Sequence, residues 1–380
     1  MSTVALRTPV TSPLHTVTAM LARAFPTPTF LLPPAAGIDV SDSSIKWLVF
    51  GIDSKGYRIR SYGDQELAEG IVRHGIIEDA EGFVAALIQL RKRLGGITGV
   101  HAALPEEAAY VFSMHVPQGT SREQTLRMVE FEFDGRVPIP ASAAVYDFDV
   151  IEERGADGTT EIGVTVFPYD LSESYAAAFA HAGFTLLSLE VEANSIARVV
   201  SSGEPDEPVT LVVDFGRART SFAVLKHGIS IFTSTVEIGG ETITRAVEKE
   251  LSLSGAAVEL FKNEQGLLAK AGPQSSGVEA IIGTASALAD EVVRHYNYWD
   301  TRRNEHGERM TPVGRVVLVG GSSNLHGLAD YIAGRVQAPV TLGDIWQRIV
   351  SFDDYIPPID SRTSLEYATA AGLALRGLQY

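Results

Sequence analysis

The sequence predicts an α/β protein of two similar lobes facing a cleft, with a small α+β inset in the first lobe. Two strand–turn–strand units, "GIDVSDSSIKWLVF" and "VVDFGRARTSFAVL", lie about 175 residues apart, each with an Asp near the end of its first strand and small residues after it. Between them the order changes to β-α-β-β-α, the mark of an inset. A third unit, "VVLVGGSSNLHGL", is a buried strand, a glycine turn and a helix start.

Residues 1–34 form a leader in which Pro9, Pro13, Pro26 and Pro28 break any continuous apolar core, so it reads as disordered and not as a secretory signal. In the first lobe, 35–104, "IKWLVFGIDSKGYRIRSYGDQEL" reads as two strands joined by a turn at Asp53–Gly56 and then a third strand, followed by a helix with Phe83, Leu87, Leu90 and Leu94 at steps of three and four. "GVHAALP" then reads as a short buried strand. The inset, 105–185, runs from "AYVFSMHVP" through a helix capped at Thr120–Ser121, two strands around Gly155–Gly158, and a closing helix "LSESYAAAFAHAG". Residues 186–206 return to the first lobe. The second lobe occupies 207–235, 236–311 and 312–364, with a loose linker at Ala271–Gly277, and residues 365–380 form a closing helix.

Composition narrows the function. The 380 residues carry a formal net charge of −16 and no long basic run, which excludes a binder of nucleic-acid backbones. Cysteine is absent, so disulfides, thiolate metal sites and cysteine nucleophiles are excluded. No stretch reaches the ~18–20 apolar residues of a membrane span. The histidines show no i,i+4 pair of the kind that binds zinc.

The chemistry lies in the turns. Tight turns expose successive N–H groups that cradle phosphate oxygens. Asp39 and Asp214, each ending a strand, would face a Mg²⁺ through its water shell. Gly216 permits close backbone approach and Thr220 offers a hydroxyl. Taken alone, each unit reads more readily as an ordinary hairpin with an Asp at its turn. The Gly320–Gly321 turn, with "EIGGETIT" between it and the second hairpin, weights the reading toward a nucleotide cleft.

Together "GIDVSDSSIKWLVF", "VVDFGRARTSFAVL", "EIGGETIT", "VELFKNEQGL", "VVLVGGSSNLHGL" and "EYATAAGLALRG" resemble the actin-like ATPases, and within them the PilM family of type IV pilus assembly. "RMVEFEFDGRVPIPASAAVYDFDVI" and "AAGLALRG" carry the more specific part of the likeness, which covers Gly37 to about Leu378. The resemblance implies an actin-like (RNase H-like) bilobed fold in which 35–104, 186–206 and 365–380 are subdomain 1A, 105–185 is 1C, 207–235 and 312–364 are 2A, and 236–311 is 2B. It implies ATP or ADP with Mg²⁺ as cofactors, the metal facing Asp39 and Asp214. Residue by residue, Asp39, Ser41, Asp42, Ser43, Ser44 and Lys46 match the first phosphate loop, and Asp214, Gly216 and Thr220 the second. Gly239 and Gly240 match the glycine pair bordering the nucleotide, Glu259 and Lys262 the ribose- and base-reaching pair, and Gly320, Gly321 and Ser322 the adenosine motif. Glu190 and Glu192 lie near the usual place for ordering an attacking water.

The first turn departs from the pattern. Ser41 stands where glycine is usual, costing about 1 kcal/mol if its φ must be positive. Asp42 would repel phosphates unless Mg²⁺ or Lys46 compensates. The expectation is therefore nucleotide binding with slow or absent hydrolysis.

As partners the resemblance implies the N-terminal cytoplasmic tail of PilN, docked in a groove between 1A and 1C, and other proteins of the pilus assembly platform. It implies a cytoplasmic scaffold held peripherally at the inner face of the membrane through those partners, and leaves self-association open. Two other readings share the fold: an FtsA-type division protein, which would need an amphipathic membrane helix after Leu378–Gln379–Tyr380, and a sugar or metabolite kinase, which would need a carboxylate base facing an acceptor pocket.

Overall fold

The computed structural model of the chain describes residues 34–378 apart from 54, 154, 156–157, 205, 269–274, 304–306, 308 and 377. The leader up to residue 33, the first part of the linker at Ala271–Gly277 and the last two residues of the chain lie outside the described residues.

The first lobe opens with a meander of β1 (Ala35–Val40), β2 (Ser44–Asp53) and β3 (Gly56–Glu66). Two short strands follow, β4 (Val72–Arg73) and β5 (Ile76–Ile77), then helix α1 (Ala80–Arg93) and strand β6 (Gly99–Leu104). Helix α1 starts where the Asp79 carboxylate accepts the Gly82 N–H and ends in Arg91, Lys92 and Arg93, charges that suit the two poles of a helix. Its inward stripe is Phe83, Ala86, Leu87 and Leu90. The inset follows as β7 (Tyr110–Pro117), α2 (Arg122–Arg136), β8 (Ala144–Glu152) and β9 (Thr159–Pro168). Ser121 and Gln124 cap α2 reciprocally, so the cap falls on Ser121, while Thr120 bonds back to the Pro117 carbonyl. Helix α3 (Tyr169–His181), strand β10 (Thr185–Val191) and helix α4 (Glu192–Val200) lead out of the first lobe.

The second lobe repeats the plan. Strands β11 (Thr210–Phe215), β12 (Thr220–Lys226) and β13 (Ile229–Val236) precede helices α5 (Gly240–Leu251), α6 (Ala256–Glu264) and α7 (Ser275–Thr301). Helix α7 thus begins inside the stretch read as a linker. Strand β14 (Arg315–Val319), helix α8 (Leu328–Ala333) and strand β15 (Val340–Leu342) complete the lobe; α9 (Ser361–Ser364) and α10 (Ala368–Arg376) end the described chain.

Both large sheets have one strand order, β3-β2-β1-β6-β10 and β13-β12-β11-β14-β15, with the first three strands antiparallel and the last two joined in parallel. The doubled hairpins therefore reflect a doubled sheet. Alternation along the second sheet splits its faces. Val212, Ala223, Leu225, Val317 and Val319 enter the core shared with the first lobe, while Leu211, Val213, Phe222, Val224 and Leu318 pack under α5 and α7.

The inset is a three-stranded sheet, β7-β9-β8, with its own small core of Phe112, Met114, Val129, Phe133 and Val164. Helix α3, grouped with the inset by sequence, packs elsewhere. Its Tyr175 and Phe179 meet Phe83 of α1 edge-on, with centroids 5.8 and 6.4 Å apart, in the core of the first lobe.

Candidate functional site

The two turns can be aligned by their hydrogen bonds. In the first, Asp39 lies across from Lys46 and the Ser41 N–H donates to the Ser44 carbonyl at 2.9 Å. In the second, Asp214 lies across from Ser221 and the Gly216 N–H donates to the Arg219 carbonyl at 3.0 Å. Ser41 thus occupies the place of Gly216, and Ser44 that of Arg219.

This geometry corrects two expectations about the first turn. Among the described residues the non-glycine positions with positive φ are His74, His227 and Ser252, so Ser41 carries no left-handed strain. Its hydroxyl instead donates to the Ser44 carbonyl and accepts the Ser44 N–H, both at 3.1 Å, which tightens the turn. Ser43 gives its carbonyl to the Leu67 N–H at 2.9 Å. Nor is Asp42 an unopposed anion. It accepts the N–H groups of His74 and Gly75, each at 3.1 Å, and pairs with Arg219 of the other lobe.

Glycines shape the second lobe's side. The Gly216 carbonyl accepts both the Gly240 N–H and the Ser322 hydroxyl at 3.0 Å, drawing the second turn, the glycine pair and the third unit together. A Cβ on Gly239 would stand 2.3 Å from the Ala218 carbonyl carbon. Gly320 holds φ at +83°, and a Cβ there would meet an Asp214 carboxylate oxygen at 2.3 Å, so only glycine lets this turn pass the acid. Gly321 lies beside Glu366. Helix α6 is tied to the same region: the Lys262 carbonyl accepts the His326 N–H at 2.9 Å. The Lys262 ammonium is buried, bonded to Glu259 at 2.8 Å and to the Thr244 hydroxyl at 2.9 Å.

Both lobes contribute acids, the first lobe most of them. Burial, and after it the Asp39 charge, pushes Asp214 up to about 7 against the opposing pull of Lys46. Asp39 is also raised, by burial and by Asp64, again opposed by Lys46. Glu192, the first residue of α4, is raised well above the carboxylate range by burial and then by Asp39, Glu106, Asp214 and Asp42. Glu106, just past β6, is pushed up to about 8 by burial, against the Ala193 N–H that it accepts at 3.2 Å. Its second carboxylate oxygen has no hydrogen-bond partner among the described residues. These mutual effects gather acids from four elements around one cleft, with Lys46 and its 3.3 Å bond to the Ser44 hydroxyl among them.

Two residues matched to the site are committed elsewhere. Glu190 is buried against Arg198, with Nη1 2.5 Å from its carboxylate, and against Arg376, so it fastens β10 to α4 and α10. The Thr220 hydroxyl is fully buried and donates to the Ile238 carbonyl at 2.6 Å. Conversely, Glu106, Glu107, Arg219 and Glu366 line the region without having been singled out in the sequence. The first two sit where a ligand approaches an open α/β sheet, just past the carboxyl end of a parallel strand. That signal was present in "GVHAALPEE".

Two sheets of one strand order, facing each other across a cleft lined by both hairpin turns, define an actin-like protein. The chain resembles solved structures of that fold: ethanolamine utilization protein EutJ from Carboxydothermus hydrogenoformans (16% identity, 90% of this chain and 89% of that one, TM-score 0.51) and ADP-bound MreB5 of Spiroplasma citri (12%, 91% and 95%, 0.52). It is also similar to the chain in the PilM–PilN type IV pilus biogenesis complex (20%, 91% and 99%, 0.72). The family model for the type IV pilus assembly protein PilM matches residues 37–378, and the chain belongs to that family. Among the described residues no helix is long and apolar enough to cross a membrane.

Proposed function

We propose that the chain is a nucleotide-responsive scaffold of the pilus assembly platform, holding an adenine nucleotide between its lobes and a PilN-like tail beside its inset. The observation that carries the nucleotide reading is the meeting of two equivalent turns and two glycine turns at one acid-lined cleft. Asp39 and Asp214 fit a Mg²⁺. Among the described residues no three acids or histidines converge as direct ligands, whereas Mg²⁺ takes one or two carboxylates, phosphate oxygens and retained waters. The ion would supply positive charge to acids that burial and their neighbours drive toward protonation. Burial and the neighbouring acids raise Glu192 well above its usual range, which weakens it as an acceptor of a proton from water and favours binding over turnover.

The tail reading rests on β8. It is an edge strand of the inset sheet, with exposed Val145 and Val150, and its Asp149 feels the charges of Arg376, Glu190 and Arg198 in the first lobe. A cavity of about 320 Å³ lined by Val116, Arg122, Phe148 and Ile162 opens in the inset beside it. An extended tail adds to such an edge, and Asp147 and Asp149 favour one bearing Lys or Arg. A platform protein so placed would lie at the inner face of the membrane through its partner. MreB5 was solved with ADP, and the PilM relative in complex with PilN.

Native mass spectrometry of the purified chain with Mg²⁺ tests the first half. Retained adenine nucleotide is the expected result, and a chain that stays empty at millimolar ATP sinks it. Calorimetry with the N-terminal peptide of the cognate PilN tests the second, and loses it if no heat is seen at high protein concentration.

A further inference from the structure

Arg219 ends the second turn and reaches across the cleft. One terminal nitrogen of its guanidinium pairs with Asp42 in the first turn, and the other with Glu107 just past β6. Both acids belong to the first lobe, so this single side chain ties the lobes at the mouth of the two phosphate turns. Its partners are held unequally. Besides the arginine, Asp42 accepts the His74 and Gly75 N–H groups, one on each oxygen. The first turn therefore has backbone anchors of its own that do not depend on Arg219.

A guanidinium engages carboxylate and phosphate with the same fork of donors, and phosphate carries more charge. Two carboxylates around one guanidinium leave the trio net negative. A polyphosphate entering between the turns therefore meets repulsion until the arginine turns from an acid to the phosphate. Resting on the nucleotide reading above, we propose that Arg219 reads how many phosphates a bound nucleotide carries. Asp42 and Glu107 are its resting partners, so that occupancy by a triphosphate trades the lobe-to-lobe tie for a lobe-to-ligand one. Nucleotide state is thereby coupled to lobe spacing, the property a scaffold needs in order to signal.

The experiment is calorimetric titration of the full chain with ATP, ADP and AMP in Mg²⁺, for the parent, Arg219→Ala, Arg219→Lys, Glu107→Gln and the Arg219→Ala/Glu107→Gln double variant. The proposal expects Glu107→Gln to tighten ATP by about tenfold while leaving AMP unchanged, and Arg219→Ala to cut the preference for ATP over AMP by about tenfold. It expects the gain from Glu107→Gln to shrink to the relief of charge repulsion alone once Arg219 is gone, and Arg219→Lys to keep part of the preference in a chain of parental thermal stability. If the parent binds ATP and Arg219→Ala keeps the parental ATP-to-AMP ratio, this inference falls and the nucleotide reading stands. If the parent binds no adenine nucleotide, both fall together.

Discussion

The two lobes share a strand order and a turn closed by the same hydrogen bond, yet they meet the cleft with unequal chemistry. The first lobe brings carboxylates: Asp39, Asp42, Glu106, Glu107 and Glu192. The second brings one acid, Asp214, among glycines and an arginine: Gly239, Gly240, Gly320 and Arg219. Even the residue across from each strand-end acid differs, Lys46 facing Asp39 but Ser221 facing Asp214. A duplicated scaffold preserves its backbone because the hydrogen-bond register leaves little freedom. It diverges at the turns because side chains there answer to the facing lobe and not to their own sheet.

The comparison can be broken most severely at Gly320, which combines a φ of +83° with a Cβ position 2.3 Å from the Asp214 carboxylate. Gly320→Ala places a methyl against the Asp214 carboxylate at positive φ and should cost about 3 kcal/mol in urea unfolding. A shift below a third of that would mean the turn is free to move.

Next come the adjacent glutamates of β10 and α4, one structural and one at the cleft. Glu190→Gln should lose about 2 kcal/mol of stability, since it removes a buried partner of Arg198 and Arg376, and leave nucleotide affinity at the parental value. Glu192→Gln should do the reverse, changing affinity with little loss of stability. Equal effects from the two would erase the distinction drawn between them.

A pH series sharpens the contrast between Lys46 and Ser221. Asp214 titrates at about 7 in the folded chain against an ordinary 3.8, so the folded state holds its proton more tightly. The stability tied to that proton is fully present below the unfolded value and is lost as pH rises from about 4 through about 7. Asp214→Asn should therefore raise the melting temperature more at pH 8 than at pH 5. Asp39→Asn should gain less, because Lys46 already faces that acid. A pH-independent gain would contradict the assignment.

The smallest effect is at the first turn itself. Ser41→Gly removes the hydroxyl bonds to Ser44 and frees the backbone, so it should destabilise by about 1 kcal/mol or less. A stabilising result would revive the idea of strain at Ser41.

Much of this was readable before any coordinates. Short apolar runs on either side of a turn located β1, β2, β11, β12 and β14, and the spacing of Phe83, Leu87 and Leu90 located α1. Asp39, Asp214, Gly239, Gly240 and Gly320 were legible because strand-end acids and turn glycines are local signals. Ser41 was misread because its residue type was weighed without its φ, which the register with Gly216 supplies. Chain order groups helix α3 with the inset, whereas the packing of Tyr175 and Phe179 on Phe83, which ties it to the first lobe's core, is not written in that order.

The sequence by itself determined the elements, the doubling of the hairpins, the absence of thiol chemistry and the glycines that let backbone approach backbone. All of these follow from local dihedral preference, periodicity and residue inventory. Tertiary structure alone decided that Glu192 faces the cleft and Glu190 does not, that Glu106 is buried with a free oxygen, and that Arg219 meets Asp42 across 177 positions of chain. The reason is physical. Such pairings depend on how two sheets pack against one core, and no window of neighbouring residues contains that information.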